Sequence, residues 1–306
     1  MVDLEYLKNI NLVSIPRMQQ FIGTFMLGPN FHIFQKVDIV LENLENIPKG
    51  QNVIFAMNHT DRFNYWPFQY KLWKSLHYPW TTVWVKGKYY RNKWLGRGLD
   101  SCNLIPVPSL GYLIEEFYTR KFNRRIDREE YRKVRDAIDG RDVDTKEYAA
   151  NVAETVRLFG DGFIEFIRDY YDQVMEKVAE LTRFALFEKG LSIIIFPEGT
   201  RGTQLGEGKS GIAQVALHTG KTVVPIGCNN SDQVYPDSLP FARSGQIVYR
   251  IGEPFSIEDR LRPFRIDEPF KLLSRESQQR YKDRFEGATT VIMESINAQL
   301  DEAYRR

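Results

Sequence analysis

Two short segments of the chain hold side chains suited to work on a ligand. The first is Asn58-His59-Thr60-Asp61-Arg62-Phe63-Asn64, an imidazole followed closely by a carboxylate and a carboxamide. A histidine at the carboxyl end of a buried strand and next to a helix N-terminus is placed where a neutral imidazole is favoured, so His59 suits a general base. The plainer role for His59 is a hydrogen bond to a neighbouring backbone group. The second segment is Phe196-Pro197-Glu198-Gly199-Thr200-Arg201-Gly202, followed by Gly206-Glu207-Gly208-Lys209-Ser210-Gly211. Glycines let backbone amides approach an anion closely, and Arg201 and Lys209 add positive charge, so this loop suits a phosphate. The alternative is a structural loop in which Glu198 pairs with Arg201. The G-x-x-x-x-G-K-[ST] spacing of a Walker loop is not met, and no G-x-S-x-G nucleophile elbow is present.

Both segments must be held by regular elements. Asn52 to Met57 reads as a buried strand after the turn Pro48-Lys49-Gly50, and a helix must begin near Asn64, because Pro67 is tolerated only in a first turn. His59 then lies in a tight strand-to-helix connection, where open α/β sheets bind ligands. Leu191 to Phe196 is a continuous apolar run expected at the centre of a parallel sheet. Val37 to Glu42, Thr222 to Ile226 and Gly245 to Ile251 read as further strands. Ile212 to Thr219 and Gln278 to Tyr304 read as helices. Residues 14–29 form an amphipathic pattern with Ser14 as N-cap, Ile15, Met18, Ile22, Phe25 and Met26 on one face, and Gly28-Pro29 as the stop. That helix either packs onto the domain or lies on a membrane surface. The expected fold is α/β: a mostly parallel mixed sheet flanked by helices, with a helical insertion at about 115–185 and the N-terminal amphipathic helix. The expected organisation is a docking segment 1–34, an α/β domain 35–256 and a helical extension 257–306.

Composition narrows the partners. The 306 residues carry 42 Lys+Arg against 40 Asp+Glu, a balance that argues against nucleic acid. Four histidines and two cysteines form no metal-ligand spacing, so no metal is expected. No apolar run reaches the ~18 residues of a spanning helix, and the N-terminus lacks a secretory pattern, so a cytoplasmic location is the expectation. All five tryptophans, Trp66, Trp73, Trp80, Trp84 and Trp94, fall in one stretch, which suits either a core or the wall of an interface.

The order Leu41 to Gly50, Asn58-His59, Phe196-Pro197-Glu198-Gly199-Thr200-Arg201, Val223-Val224-Pro225-Ile226 and Ile251-Gly252-Glu253-Pro254-Phe255 resembles the glycerolipid acyltransferase family, which includes the lysophosphatidic acid acyltransferases. The resemblance covers roughly 35–108 and 186–256. It implies transfer of a fatty acyl group from acyl-CoA or acyl-carrier protein, as co-substrate rather than cofactor, to a hydroxyl of a glycerol phosphate or lysophospholipid. It implies His59 as base, with Glu198, Gly199, Thr200 and Arg201 at the acceptor phosphate, and the charge of Lys209 in the same loop suits that phosphate too. It also implies a peripheral position on the inner face of a membrane, with lipid acceptor and thioester donor as partners.

Three departures from the family pattern stand out. The family's aspartate position is Asn64 here, and an aspartate occurs instead at Asp61; in the serine-protease triad, asparagine for the orienting aspartate costs about 10⁴ in rate. Asn64 either accepts from the His59 ring or spends its oxygen as a helix N-cap, and Asp61 is either the orienting carboxylate or the N-cap of a preceding turn. The middle motif, Leu104-Ile105-Pro106-Val107-Pro108-Ser109, lacks its arginine, so either Arg91, Arg97 or Lys86 substitutes or the acceptor carries a different head group. His59 and Glu198 are 139 positions apart, with the helical insertion as the surplus.

Overall fold

The computed structural model describes residues 2–140, 146–157, 159, 160 and 162–306, with side chains except at 93–95 and 146–151. The end of the mixed-charge run and the Trp94 side chain lie outside the described residues. Seven strands form one sheet: β1 Val37–Glu42, β2 Ile54–Met57, β3 Thr81–Lys86, β4 Leu104–Val107, β5 Ser192–Ile195, β6 Val223–Asn229 and β7 Gly245–Ile251. Their spatial order is β1-β7-β6-β2-β5-β3-β4. β2 runs parallel to both β5 and β6, β5 parallel to β3, and β1 parallel to β7. The β6–β7 pair alone among these is antiparallel, which makes the sheet mixed. The central strands β2, β5 and β6 are buried along their whole length, as continuous apolar runs require when helices cover both faces.

By its contacts the chain forms two compact units. One comprises Met1–Ile10, Val85–Gly96 and Pro106–Val178 and is built mainly of the helices Leu110–Phe122, Arg128–Asp139, Lys146–Arg157 and Phe163–Arg183, the expected insertion. Its helix Arg128–Asp139 opens with a complete capping box, Asp127 with Glu130. The other comprises Asn11–Trp84, Arg97–Ile105 and Ala179–Arg306 and contains most of the sheet and both chemical segments.

The N-terminal helix differs from its expected bounds. Helical structure begins at Arg17 after Pro16, with no side-chain cap, so Ser14 does not cap it. It passes through Gly28 and Pro29 as wide π turns, Gly23–Leu27 and Asn30–Phe34. Pro29, at φ −60° and ψ −42°, keeps helical dihedrals at the seam before Asn30–Phe34, as its ring-fixed φ allows. The pair Gly28-Pro29 therefore ends nothing. The terminal helix is also shorter than expected, Lys282–Asn297, preceded by the separate turn Arg275–Arg280.

Four tryptophans, Trp66, Trp73, Trp80 and Trp84, are half-buried, so neither reading of the cluster holds alone. Trp73 stacks loosely on Trp80 and lies over Gly23, where a Cβ would come within 2.8 Å of the indole. Trp84 donates to the Thr182 hydroxyl at 3.1 Å.

Candidate active site

The register of the central strands brings the two segments together. Ala56 is paired with Ile195 across β2 and β5. Three residues beyond each lie His59 and Glu198, at the carboxyl ends of adjacent parallel strands. The Glu198 carboxylate closes the gap, accepting from the His59 backbone amide at 2.7 Å and from the Gly206 amide at 2.9 Å. Glu198 is 4% exposed; burial pushes its carboxyl up, and the two amides pull it back down. Its oxygens hold the loops to each other rather than pairing with Arg201. A further backbone bond, Gly202 N to His59 O at 3.0 Å, completes the tie.

The imidazole of His59 stacks on Phe196, ring centroids 4.2 Å apart. Its Nδ1 faces Asn64 Oδ1 at 3.3 Å. Asn64 sits at the start of the helix Tyr65–Ser75 but makes no side-chain capping bond, so its oxygen remains available to the ring. Its amide nitrogen donates to the Asn58 carbonyl at 2.8 Å. Asp61 is engaged locally: Oδ1 accepts the Phe63 amide at 2.7 Å and Oδ2 the Thr60 hydroxyl at 3.0 Å. Burial pushes its carboxyl up, against the lowering effect of the Ser231 hydroxyl, the Phe63 amide and Thr60.

The glycine loop is drawn tight. Gly199 has φ +63°, the left-handed region that glycine adopts without cost. The Lys209 side chain lies over it, and a Cβ on Gly199 would stand 3.2 Å from Lys209 Nζ. The bond Lys209 N to Pro197 O, 2.9 Å, returns the chain to the start of the loop. Thr200, Arg201 and Lys209 are exposed, giving two cations beside a glycine turn that is bonded to the His59 backbone through Gly202. Of the possible substitutes for the middle-motif arginine, Arg91 is engaged by Glu115 and Glu116, each at 2.7 Å. Sequence reasoning overlooked Tyr249, whose hydroxyl donates to the Asn64 carbonyl at 2.5 Å, and the Asn58 side chain, which bonds Cys228. The Asn-His pairing was the one local sign of the latter.

A histidine backed by an acceptor, opposite a cationic turn, can take a proton from a hydroxyl while the turn holds an anionic part of the same molecule. Comparison with known proteins bears on that chemistry. A family model described as Acyltransferase matches residues 38–229. No curated protein matches. Among solved structures, the crystal structure of the 1-acyl-sn-glycerophosphate (LPA) acyltransferase PlsC from Thermotoga maritima aligns over 96% of this chain and 84% of its own, at 17% identity and a TM-score of 0.40. The family match spans well over half of the chain and contains His59, Asn64 and the loop from Phe196 to Lys209, so the chain belongs to the acyltransferase family.

Proposed function

We propose that this acyltransferase moves a fatty acyl group from acyl-CoA or acyl-carrier protein to a hydroxyl of a lysophospholipid or glycerol phosphate, with His59 as general base. The observation that carries the reading is the His59–Asn64 pair standing beside the turn of Gly199, Thr200 and Arg201, with Glu198 as the tie between them. In this reading Nε2 of His59 takes the acceptor's hydroxyl proton as the oxygen attacks the thioester carbonyl carbon. The new C–O bond forms, the tetrahedral oxyanion collapses, and the C–S bond breaks. The imidazolium returns its proton to the departing thiolate, leaving ester and free thiol. Arg201, Lys209 and the amides of the turn hold the acceptor phosphate, while Glu198 acts on position rather than on the anion.

An acceptor that resides in a bilayer calls for a protein that reaches it. Among the described residues no helix is long and apolar enough to cross a membrane. The outward face of the helical run 17–34 nevertheless carries Met18, Phe21, Phe25 and Ile33, with Phe25 68% and Ile33 75% exposed. Leu239 and Phe241 are exposed nearby, where Ala242 N donates to Asn30 Oδ1 at 2.9 Å. We read this face as the contact with the inner surface of a membrane.

The test is purified protein given a labelled acyl thioester and lysophosphatidic acid. Phosphatidic acid is expected, and His59→Ala should lower kcat by about 10²–10⁴, the usual worth of a general base. Turnover that persists in His59→Ala overturns the mechanism. Asn64 at the place of the family's aspartate favours one second reading, a relative that binds lipid or thioester without turnover. Tight binding with no product from wild-type protein would select it.

A further inference from the structure

The Asn64 carboxamide is fully buried, and its nitrogen end has a partner of fixed sense. Its nitrogen donates to the Asn58 carbonyl at 2.8 Å, and its oxygen faces His59 Nδ1 at 3.3 Å. A carbonyl only accepts, so the carboxamide cannot turn over without setting oxygen against oxygen. The neighbours are equally constrained. The Asn58 side chain clamps β6 with both its atoms, accepting from Cys228 N at 2.7 Å and donating to Cys228 O at 3.0 Å. The Tyr249 hydroxyl, on β7, holds the Asn64 carbonyl. With the amide oxygen turned toward the ring, Nδ1 must carry the proton and Nε2 keeps its lone pair.

A carboxylate fits this place badly. Aspartate at position 64 would direct one oxygen at the Asn58 carbonyl, two acceptors with no proton between them. Asp61 is already a buried carboxyl close behind, near enough for its charge to act on Cys228 and Tyr249, both of which border Asn64. A second negative charge in that layer meets both burial and like-charge repulsion.

We propose that the site is built for a carboxamide at position 64, with Asn58 and Tyr249 as positioning residues that hold Asn64 so that a neutral oxygen fixes His59 as its Nδ1–H tautomer. The proposal rests on the reading of His59 as base. It makes the departure from the family's aspartate part of a matched set, so restoring the aspartate alone harms the enzyme.

The experiment has two arms. In the first, ¹⁵N-histidine-labelled wild-type protein is observed by NMR at pH 8, the His59 signals being identified by their loss in His59→Gln. Protonated Nδ1 with bare Nε2 is expected, and the opposite tautomer overturns the proposal even if no turnover is ever detected. In the second, kinetics of Asn64→Asp and Tyr249→Phe are compared with wild type. Each kcat should fall at least tenfold with both KM values within about twofold, and Asn64→Asp equal to or faster than wild type overturns the proposal. If Asn64→Asp does not fold, the tautomer decides alone. A wild-type protein with the expected tautomer but no turnover keeps the positioning network and removes the catalytic reading.

Discussion

Asp61 accepts the Phe63 amide and the Thr60 hydroxyl, whereas Asn64 Oδ1 faces the His59 ring, so the two polar residues after the histidine have different tasks. An aspartate whose oxygens close a turn this way is replaceable by asparagine, which keeps one acceptor for Phe63 and offers an N–H to Thr60. Asp61→Asn should therefore leave kcat within about threefold, a change under 1 kcal/mol. A loss beyond about a hundredfold would return the orienting role to Asp61. The pH dependence follows from burial, which raises the carboxyls of both Asp61 and Glu198 in the fold. A raised acid binds its proton more tightly when folded, so their contribution to stability is complete below the ordinary carboxylate range and is lost as pH climbs through the raised values. The fall in melting temperature from pH 4 to 7 should be shallower in Asp61→Asn than in wild type. For the acceptor, Arg201→Ala should raise its KM about 10- to 100-fold, the worth of one charge-assisted hydrogen bond, in steady-state assays with the phosphate-bearing lipid.

At the scale of elements, the site is a consequence of register. Pairing Ala56 with Ile195 sets His59 opposite Glu198, and a slip of either strand by one residue would turn its own side chains to the other face and part the two. Glu198→Ala removes the acceptor of two amides at once, at about 1 kcal/mol for the half-buried His59 amide and less for that of the exposed Gly206, which water can reach. Denaturant unfolding should report that loss, together with a fall in kcat as the two loops part. Gly199→Ala probes the turn itself: a side chain at φ +63° costs about 1–2 kcal/mol, and its Cβ displaces Lys209, so acceptor KM should rise along with the loss of stability.

For the whole molecule, the helical run 17–34 exposes a group of large apolar side chains. Phe21 and Phe25 pack on each other, ring centroids 5.0 Å apart, yet each is more than half exposed. Replacing both by aspartate removes no core contact, so the melting temperature should hold within a few degrees. Co-sedimentation with vesicles containing anionic phospholipid should fall steeply. Unchanged sedimentation would mean that this face does not meet the bilayer.

Much of this was legible from residue order, because it depends on neighbours in the chain. The apolar run Leu191 to Phe196 announces a buried central strand, Pro67 limits where the helix after Asn64 can begin, and the Phe196–Arg201 motif points to the family. The end of the N-terminal helix is not set by Gly28-Pro29, because Pro29 keeps helical dihedrals at the seam between two π segments and the chain stays helical to Phe34. The choice between Asn64 and Asp61 was beyond the sequence for a different reason. Both stand within five positions of His59, and their tasks are separated by atoms remote in the chain or set by the backbone path: the Asn58 carbonyl, the Tyr249 hydroxyl and the β6 backbone. Residue order supplies a histidine suited to act as a base, a glycine-rich cationic loop and the strands that carry them. Which way one buried carboxamide faces is set by hydrogen-bond partners brought together from β2, β6 and β7, and they acquire fixed positions only when the sheet has formed.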